Sequence, residues 1–98
     1  MDEIRFAWDP RKAAANLRKH GVTFTEAQTA FGDDHGLVLD DPGHSTTEDR
    51  FVLLAASAAR RLVVVVHAYR ESEAVIRIIS ARKANRRERR YYEEREEP

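Results

Sequence analysis

The stretch Leu62-Val63-Val64-Val65-Val66-His67-Ala68-Tyr69 decides the fold, because β-branched residues at this density favour a buried strand. A second apolar segment, Phe51–Ala56, precedes it after only five intervening residues, and a third, Ala74–Ser80, follows it closely. Consecutive strands joined by short connections usually pair with one another. The three segments therefore predict an antiparallel meander.

The N-terminal third predicts a short strand and a helical hairpin. Alternating apolar residues indicate a strand over Glu3–Trp8. The pair Asp9-Pro10 suits the N-cap and the first position of a helix, and Gly21 suits its C-terminal end. A second helix begins at once, at the capping box formed by Thr23 and Glu26.

Two further elements complete the predicted fold. Leu37-Val38-Leu39 indicates a brief strand before Phe51–Ala56, and a polar helix from about Ala81 to Glu94 follows the last strand. The element order β-α-α-β-β-β-β-α predicts an α+β fold, in which an antiparallel sheet carries an N-terminal helical hairpin and a C-terminal helix. We expect the 98 residues to form a single domain, with an acidic tail from about 93 to 98 that frays.

The composition excludes several classes of function. The chain contains no cysteine, which excludes disulfides, thiol nucleophiles and cysteine-bound zinc. Its apolar runs, such as Leu62–Val66, are too short to cross a membrane, and the acidic start Met1-Asp2-Glu3 lacks the pattern of a signal peptide. We therefore expect a cytoplasmic protein. The sequence has no P-loop, dinucleotide-binding glycine motif or HExxH motif, so no cofactor is expected.

Basic residues are concentrated near the C-terminus, although the formal net charge is zero. Six basic residues and one acid, Glu88, lie between Arg82 and Arg90. In the predicted C-terminal helix, which Ser80 would cap, Arg82 and Lys83 lie at the positive end of the helix dipole, where cations are unfavourable. This arrangement favours either phosphate binding beside the free N–H groups of the helix or a solvated surface.

Two arginines on the predicted strands favour phosphate binding. Arg77 lies in an otherwise apolar strand, and Arg70 ends the preceding strand. The two side chains approach one another if the strands form a hairpin. They therefore indicate a sheet face that presents cations to a partner.

Among the histidines, His67 is the candidate for acid–base chemistry. A histidine on an apolar strand is more often structural, but one that shared the face of Arg77 would have its pKa lowered by neighbouring cations. The neutral ring could then accept a proton near neutral pH. His44 lies in an acidic loop without recognised metal-ligand spacing, so a polar loop explains it more simply than a metal site. His20 suits the C-terminal end of the first helix.

An N-terminal set, a central loop and a C-terminal set of residues form a recognisable pattern, in order and over nearly the whole chain. They are Phe6-Ala7-Trp8-Asp9-Pro10-Arg11-Lys12-Ala13, Asn16, Lys19-His20-Gly21-Val22 and Phe24; then Asp41-Pro42-Gly43-His44-Ser45, Glu48 and Arg50; then Val66-His67, Arg77-Ile78-Ile79-Ser80-Ala81-Arg82-Lys83-Ala84, Arg86-Arg87-Glu88 and Tyr91. Taken together, these residues resemble the BrnT family.

The resemblance implies a toxin of a type II toxin–antitoxin system with a compact fold similar to RelE. It further implies a ribonuclease that stops translation and is neutralised by the antitoxin BrnA, which carries a ribbon-helix-helix DNA-binding domain. We expect operator DNA to be bound only through the antitoxin, in a hetero-oligomer that is a toxin–antitoxin tetramer.

Within this interpretation we expect metal-independent RNA cleavage. A base removes the proton of a 2′-hydroxyl, and cations stabilise the charge that develops on the phosphate. His67 is the candidate base and Lys83 the alternative, and Arg77 and Arg82 complete the predicted catalytic set. The residues predicted to bind RNA phosphates are Arg70, Arg86 and Arg87. A non-catalytic RNA- or protein-binding module, or a degenerate toxin, remains the alternative.

Overall fold

The computed structural model describes residues 3–40, 50–70, 72 and 74–96. Its elements follow the predicted order, with a short 3-10 turn, Ala30–Gly32, after the second helix. They are β1 (Arg5–Ala7), α1 (Pro10–His20), α2 (Phe24–Thr29), β2 (Leu37–Asp40), β3 (Arg50–Ala56), β4 (Leu62–Arg70), β5 (Val75–Lys83) and α3 (Arg86–Glu96). The predicted α+β class is confirmed.

The five strands form one sheet in the order β1-β5-β4-β3-β2. The pairs β2–β3, β3–β4 and β4–β5 are antiparallel, which confirms the predicted meander. The expectation of a wholly antiparallel sheet is wrong at one edge, where β1 runs parallel to β5. The meander argument applies only to consecutive strands, whereas β1 is separated from β5 by the rest of the chain.

Helices cover both sides of the sheet. On the first side, here called the hairpin face, α1, α2 and the segments that flank α2 pack on a core that includes Val22, Phe24, Ala27, Val65 and Ile78. On the second side, here called the α3 face, Tyr92 packs with a smaller core of Leu37, Leu54, Leu62 and Val64. Because β4 is central and buried on both sides, its sequence is continuously apolar rather than alternating.

The predicted caps of α1 and α2 are confirmed. Asp9 accepts a hydrogen bond from the Arg11 N–H at 2.8 Å and caps α1, and Gly21 ends the helix with φ of 71°, a left-handed conformation. Thr23 Oγ1 accepts from the Glu26 N–H at 2.9 Å and caps α2. The loop between α1 and α2 is therefore determined by its local sequence.

The boundary between β5 and α3 differs from the prediction. Arg82 and Lys83 continue β5, and the helix begins only at Arg86. The cap is Asn85 rather than Ser80: its Oδ1 accepts from the Glu88 N–H at 2.8 Å, while Glu88 Oε1 accepts from the Asn85 N–H at 2.9 Å. An acid, Glu88, therefore occupies the first turn, and the predicted opposition of Arg82 and Lys83 to the helix dipole is wrong.

The far end of α3 also differs, because the helix runs to Glu96 and includes residues 93–96 that were expected in the frayed tail. A hydrogen bond connects this helix to Asp33, which directly follows the 3-10 turn. The Tyr92 hydroxyl donates to Asp33 Oδ2 at 2.6 Å, and the Ala56 and His35 N–H groups also donate to this carboxylate. Although burial raises the pKa of Asp33, these three hydrogen bonds together hold it below the ordinary 3.8.

Replacement of Tyr92 by phenylalanine should therefore lower the free energy of unfolding at pH 7 by about 2 kcal/mol, since the hydroxyl bonds a charged group. The Asp33 carboxyl has a lower pKa in the folded protein than in the unfolded chain. Its contribution to stability is therefore complete above the pKa of the unfolded chain and is lost as the pH falls through the pKa of the folded protein. The difference from wild type should thus shrink below about pH 4. Urea unfolding of both proteins at pH 7 and pH 3 measures this difference in the free energy of unfolding. The neighbour Tyr91→Phe, 46% exposed, is the control, and an equal loss in both variants would contradict the prediction.

A β-bulge in β5 changes which residues share a face. Val66 pairs with Ser80 and His67 pairs with Ile78, so Ile79 is the extra residue. Arg77 and Arg82 are five positions apart and would point to opposite sides of a regular strand. The bulge places both on the α3 face, opposite Ala68 and Val64 of β4.

Candidate functional site

Four arginines meet at one end of the α3 face, and we call them the arginine cluster: Arg5, Arg50, Arg70 and Arg77. Each comes from a different strand. Arg50 and Arg77 flank Ala68 in one row across the sheet, whereas Arg70 and Arg5 flank Val75 in the next row. Residues paired in this way project to the same side of a sheet.

The spacing allows the four guanidinium groups to converge. Arg70 and Arg77 are diagonal neighbours, with Cα atoms about 7–8 Å apart, and Arg50 and Arg77 lie about 10 Å apart across the intervening strand. Between them is the small side chain of Ala68, which is only 4% exposed. Arg5 and Arg70 are exposed, and Arg50 and Arg77 are half-buried. Each of the four arginines also takes part in an interaction within the protein.

Arg82 lies on the same face but already has a carboxylate partner. Its two terminal nitrogens donate to the two carboxylate oxygens of Glu88, each at 2.9 Å. The hydrogen bonds from Arg82 are the main cause that holds the pKa of Glu88 below its ordinary value, against the effect of burial. This pair connects the end of β5 to the first turn of α3. A phosphate at Arg82 would have to compete with Glu88.

The other predicted site residues are distributed over the molecule. His67 pairs with Ile78 and Lys83 with Val63, which places both on the hairpin face, opposite the arginine cluster. Arg86 and Arg87 are exposed in the first turn of α3. The premise that His67 shares the face of Arg77 is therefore wrong, whereas the expected proximity of Arg70 and Arg77 is confirmed.

His67 is a buried, neutral side chain. It is 4% exposed, and its Nδ1 lies 3.1 Å from the carbonyl oxygen of Val65. Because a carbonyl can only accept, Nδ1 carries the hydrogen and Nε2 carries the lone pair. Burial lowers the pKa of His67, and the bond to Val65 opposes this shift only in part. The direction agrees with the sequence prediction, but the cause is burial and not neighbouring cations.

An open apolar concavity of about 340 Å³ leads to His67, and we call it the His67 depression. None of the described residues that line it is cationic. Its lining consists of Ile4, Phe31, Val38, Phe51, His67, Tyr69 and Ile76. The edge of the Phe31 ring meets the imidazole with 4.8 Å between ring centroids. This surface is chemically unlike the arginine cluster.

Sequence reasoning missed Arg5 and Arg50 as members of the cluster. Arg50 directly precedes a predicted strand. Side chains two positions apart on a strand point to the same face, so Arg50 shares the α3 face with Val52 and Leu54. Arg5 could not be found in this way, because its position depends on the parallel pairing of β1 with β5. The candidate metal loop with His44 lies outside the described residues. Across residues 3–40, 50–70, 72 and 74–96, no group of three or more His, Asp or Glu residues is close enough to hold a metal ion.

The mixed sheet and its arginine cluster define a small α+β protein with a cationic sheet face. The chain belongs to the BrnT family, because the family model for "Ribonuclease toxin, BrnT, of type II toxin-antitoxin system" matches residues 8–88. Membership makes the chain a toxin of the ribonuclease class whose system includes an antitoxin partner.

A solved structure has the same fold. The crystal structure of the ribonuclease toxin BrnT of Brucella abortus superposes with a TM-score of 0.63, at 22% sequence identity, over 86% of this chain and 100% of that chain. No curated protein sequence matches the chain. Within the described residues, no helix is both long and apolar enough to span a membrane.

Proposed function

We propose that this chain is an endoribonuclease toxin that cleaves RNA without a metal ion and thereby inhibits translation. The arginine cluster is the observation that carries the proposal. Four arginines from four strands occupy two adjacent rows on one face of the sheet, around Ala68 and Val75. Guanidinium groups bind phosphate oxygens in pairs and stay charged at every physiological pH. The cluster therefore suits the phosphodiester backbone of RNA.

The proposed reaction is an internal transfer at phosphorus. The 2′-hydroxyl gives its proton to a water molecule and its oxygen bonds to the adjacent phosphorus, while the bond from phosphorus to the 5′-oxygen breaks and that oxygen takes a proton from water. The products are a 2′,3′-cyclic phosphate and a 5′-hydroxyl. Negative charge develops on the non-bridging oxygens during the attack. Cations already in place stabilise it most effectively, because no reorganisation is needed.

The geometry supports the predicted cations more strongly than the predicted bases. Arg77 and Arg70 contribute directly to the cluster, whereas Arg82 is paired with Glu88. Arg86 and Arg87 are exposed in the first turn of α3. A phosphate between Arg70 and Arg77 lies on the opposite side of the sheet from His67 and Lys83. We therefore assign most of the catalytic effect to the arginines rather than to the candidate bases His67 and Lys83.

The chemical test incubates the purified toxin with an end-labelled RNA oligonucleotide in the presence of EDTA. We expect cleavage with 2′,3′-cyclic phosphate ends, and no cleavage at any position that carries a 2′-deoxy sugar. Mass spectrometry of the fragments identifies the ends. Binding that weakens steadily with salt, while the RNA stays intact, would instead identify a non-catalytic RNA-binding module.

The proposed biological setting follows from the family. The antitoxin is of the BrnA type, with a ribbon-helix-helix domain that connects the complex to operator DNA. The assembly is a cytoplasmic toxin–antitoxin tetramer. Growth arrest on induction of the toxin, relieved by co-expression of the antitoxin, would support this setting. Growth without arrest would support a degenerate toxin.

A further inference from the structure

The His67 depression is surrounded by large apolar side chains that are unusually exposed. Val38 is 58% exposed, Ile4 51% and Tyr69 39%, and all three line the concavity. A small protein rarely leaves a contiguous apolar surface in contact with water unless a partner covers it. The concavity lies on the hairpin face, so the proposed RNA site on the α3 face does not account for it.

The floor of the depression offers one hydrogen-bond acceptor. Among the described residues, the hydrogen bonding of the His67 ring is confined to Nδ1 and the Val65 carbonyl. The lone pair of Nε2 is then available to a donor that enters the concavity. Phe31 and Phe51 stand beside the same ring, with centroid distances of 4.8 and 6.0 Å. The site thus combines aromatic walls with a single acceptor.

This chemistry is specific for a flat, apolar group with one N–H or O–H donor. Tryptophan and tyrosine have this character, and they are the side chains that most often anchor protein interfaces. A nucleotide is a poorer fit, because it brings a phosphate and the described lining has no cation. The depression is electrically neutral, so it also does not suit an acidic segment.

A second depression provides room for the residues that flank such an anchor. It has a volume of about 460 Å³ and shares Ile4, Phe31 and Ile76 with the first. Its remaining walls are Phe6, Gln28, Thr29 and Gly32. The two concavities form one apolar groove that extends from the β2 edge toward α2. Its occupant is therefore an extended or helical segment and not an isolated small molecule.

We propose that the antitoxin inserts a tryptophan or tyrosine side chain into the His67 depression, where it donates a hydrogen bond to Nε2. The antitoxin then docks on the sheet face opposite the arginine cluster. The proposal rests on the antitoxin partner that family membership implies, and not on the cleavage of RNA.

Two neighbouring residues of β2 supply a matched pair of variants. Val38 and Leu39 are 58% and 46% exposed, and strand alternation directs them to opposite faces. Val38→Arg should weaken binding of the purified cognate antitoxin by about tenfold or more, because it places a charge in the groove. Leu39→Arg should leave the affinity within about twofold of wild type. Isothermal titration calorimetry measures both.

A small-molecule pair tests the hydrogen bond itself. Indole carries the N–H donor, whereas 1-methylindole has the same ring without it. Titration of the free toxin with each probe, followed by the ¹⁵N shift of His67 Nε2, should show saturable binding of indole and at least about threefold weaker binding of 1-methylindole. Equal binding of the two, or no shift, would overturn the proposed anchor.

The outcome does not depend on the nuclease proposal, because antitoxin affinity is measured without RNA. Unchanged antitoxin affinity of Val38→Arg would reject the docking site whether or not the toxin cuts RNA. Loss of RNA cleavage in Val38→Arg, with antitoxin affinity retained, would identify the groove as an RNA site and also overturn the proposal. The expected result is reduced antitoxin affinity with RNA cleavage retained.

Discussion

Replacement of Arg77 by alanine should lower the rate of RNA cleavage by about 100-fold, because it removes a preorganised cation from the centre of the proposed phosphate site. Arg77 is half-buried and lies between Ala68 and Ala7 in the row across the sheet. The measurement is single-turnover cleavage of an end-labelled oligonucleotide, with circular dichroism to verify that the variant is folded.

Two control variants make the Arg77 result interpretable. Arg18→Ala removes an exposed cation from α1, and it should leave cleavage within about twofold of wild type, since exposed substitutions away from a site have small effects. His67→Gln removes the predicted base on the opposite face. We expect it to retain cleavage within about threefold, far from the 10²–10⁴-fold loss typical of a missing general base.

Other outcomes would lead to different assignments. A large loss in folded His67→Gln, with Arg77→Ala fully active, would transfer the active site to the hairpin face and reject the arginine cluster. A loss in both variants would indicate an RNA that contacts both faces. Equal losses in Arg77→Ala and Arg18→Ala, with His67→Gln fully active, would show that only overall charge matters.

Local sequence was sufficient for most of the fold. The caps at Asp9, Gly21 and Thr23 act through contacts within a few residues, so their chemistry is visible in the sequence. The meander could be predicted because its strands follow one another closely. The parallel edge pairing of β1 could not, because nothing local to Arg5–Ala7 specifies a partner near residue 75.

The position of Arg82 relative to the arginine cluster was harder to predict because it depends on one bulge. Periodic reading of β5 places Arg77 and Arg82 on opposite faces, and only the extra residue Ile79 brings them together. The end of β5 was misassigned for a related reason. Alanine, arginine and lysine favour helices, but the segment Ala81–Lys83 pairs with β4, and this tertiary pairing outweighs the local preference.

The edge of β5 also explains an unexpected buried amide, Asn16 of α1, which is 7% exposed. Strand β1 ends opposite Arg77, so the backbone of Ala81 has no strand beside it. The Asn16 side chain takes that place: its Oδ1 accepts from the Ala81 N–H at 3.0 Å, and its Nδ2 donates to the Ala81 carbonyl at 2.8 Å. Nδ2 also donates to the Val22 carbonyl at 3.0 Å, which connects α1, the start of α2 and the sheet.

Asn16→Ala should therefore lower the free energy of unfolding by about 3 kcal/mol, since it leaves buried N–H and carbonyl groups without partners. For a domain of this size the corresponding fall in Tm is about 15 °C.

Asn16→Asp should not rescue stability at pH 7, because the introduced carboxylate faces two carbonyl oxygens. The stability of Asn16→Asp should recover partly in acid, because a protonated carboxyl can donate a hydrogen bond to a carbonyl oxygen. The pKa of this carboxyl is raised in the folded state, so a fall in pH favours folding. Thermal and urea unfolding measure both variants, with Lys19→Ala as an exposed control on α1. An Asn16→Ala loss no larger than that of Lys19→Ala would show that Asn16 does not hold α1 to the sheet.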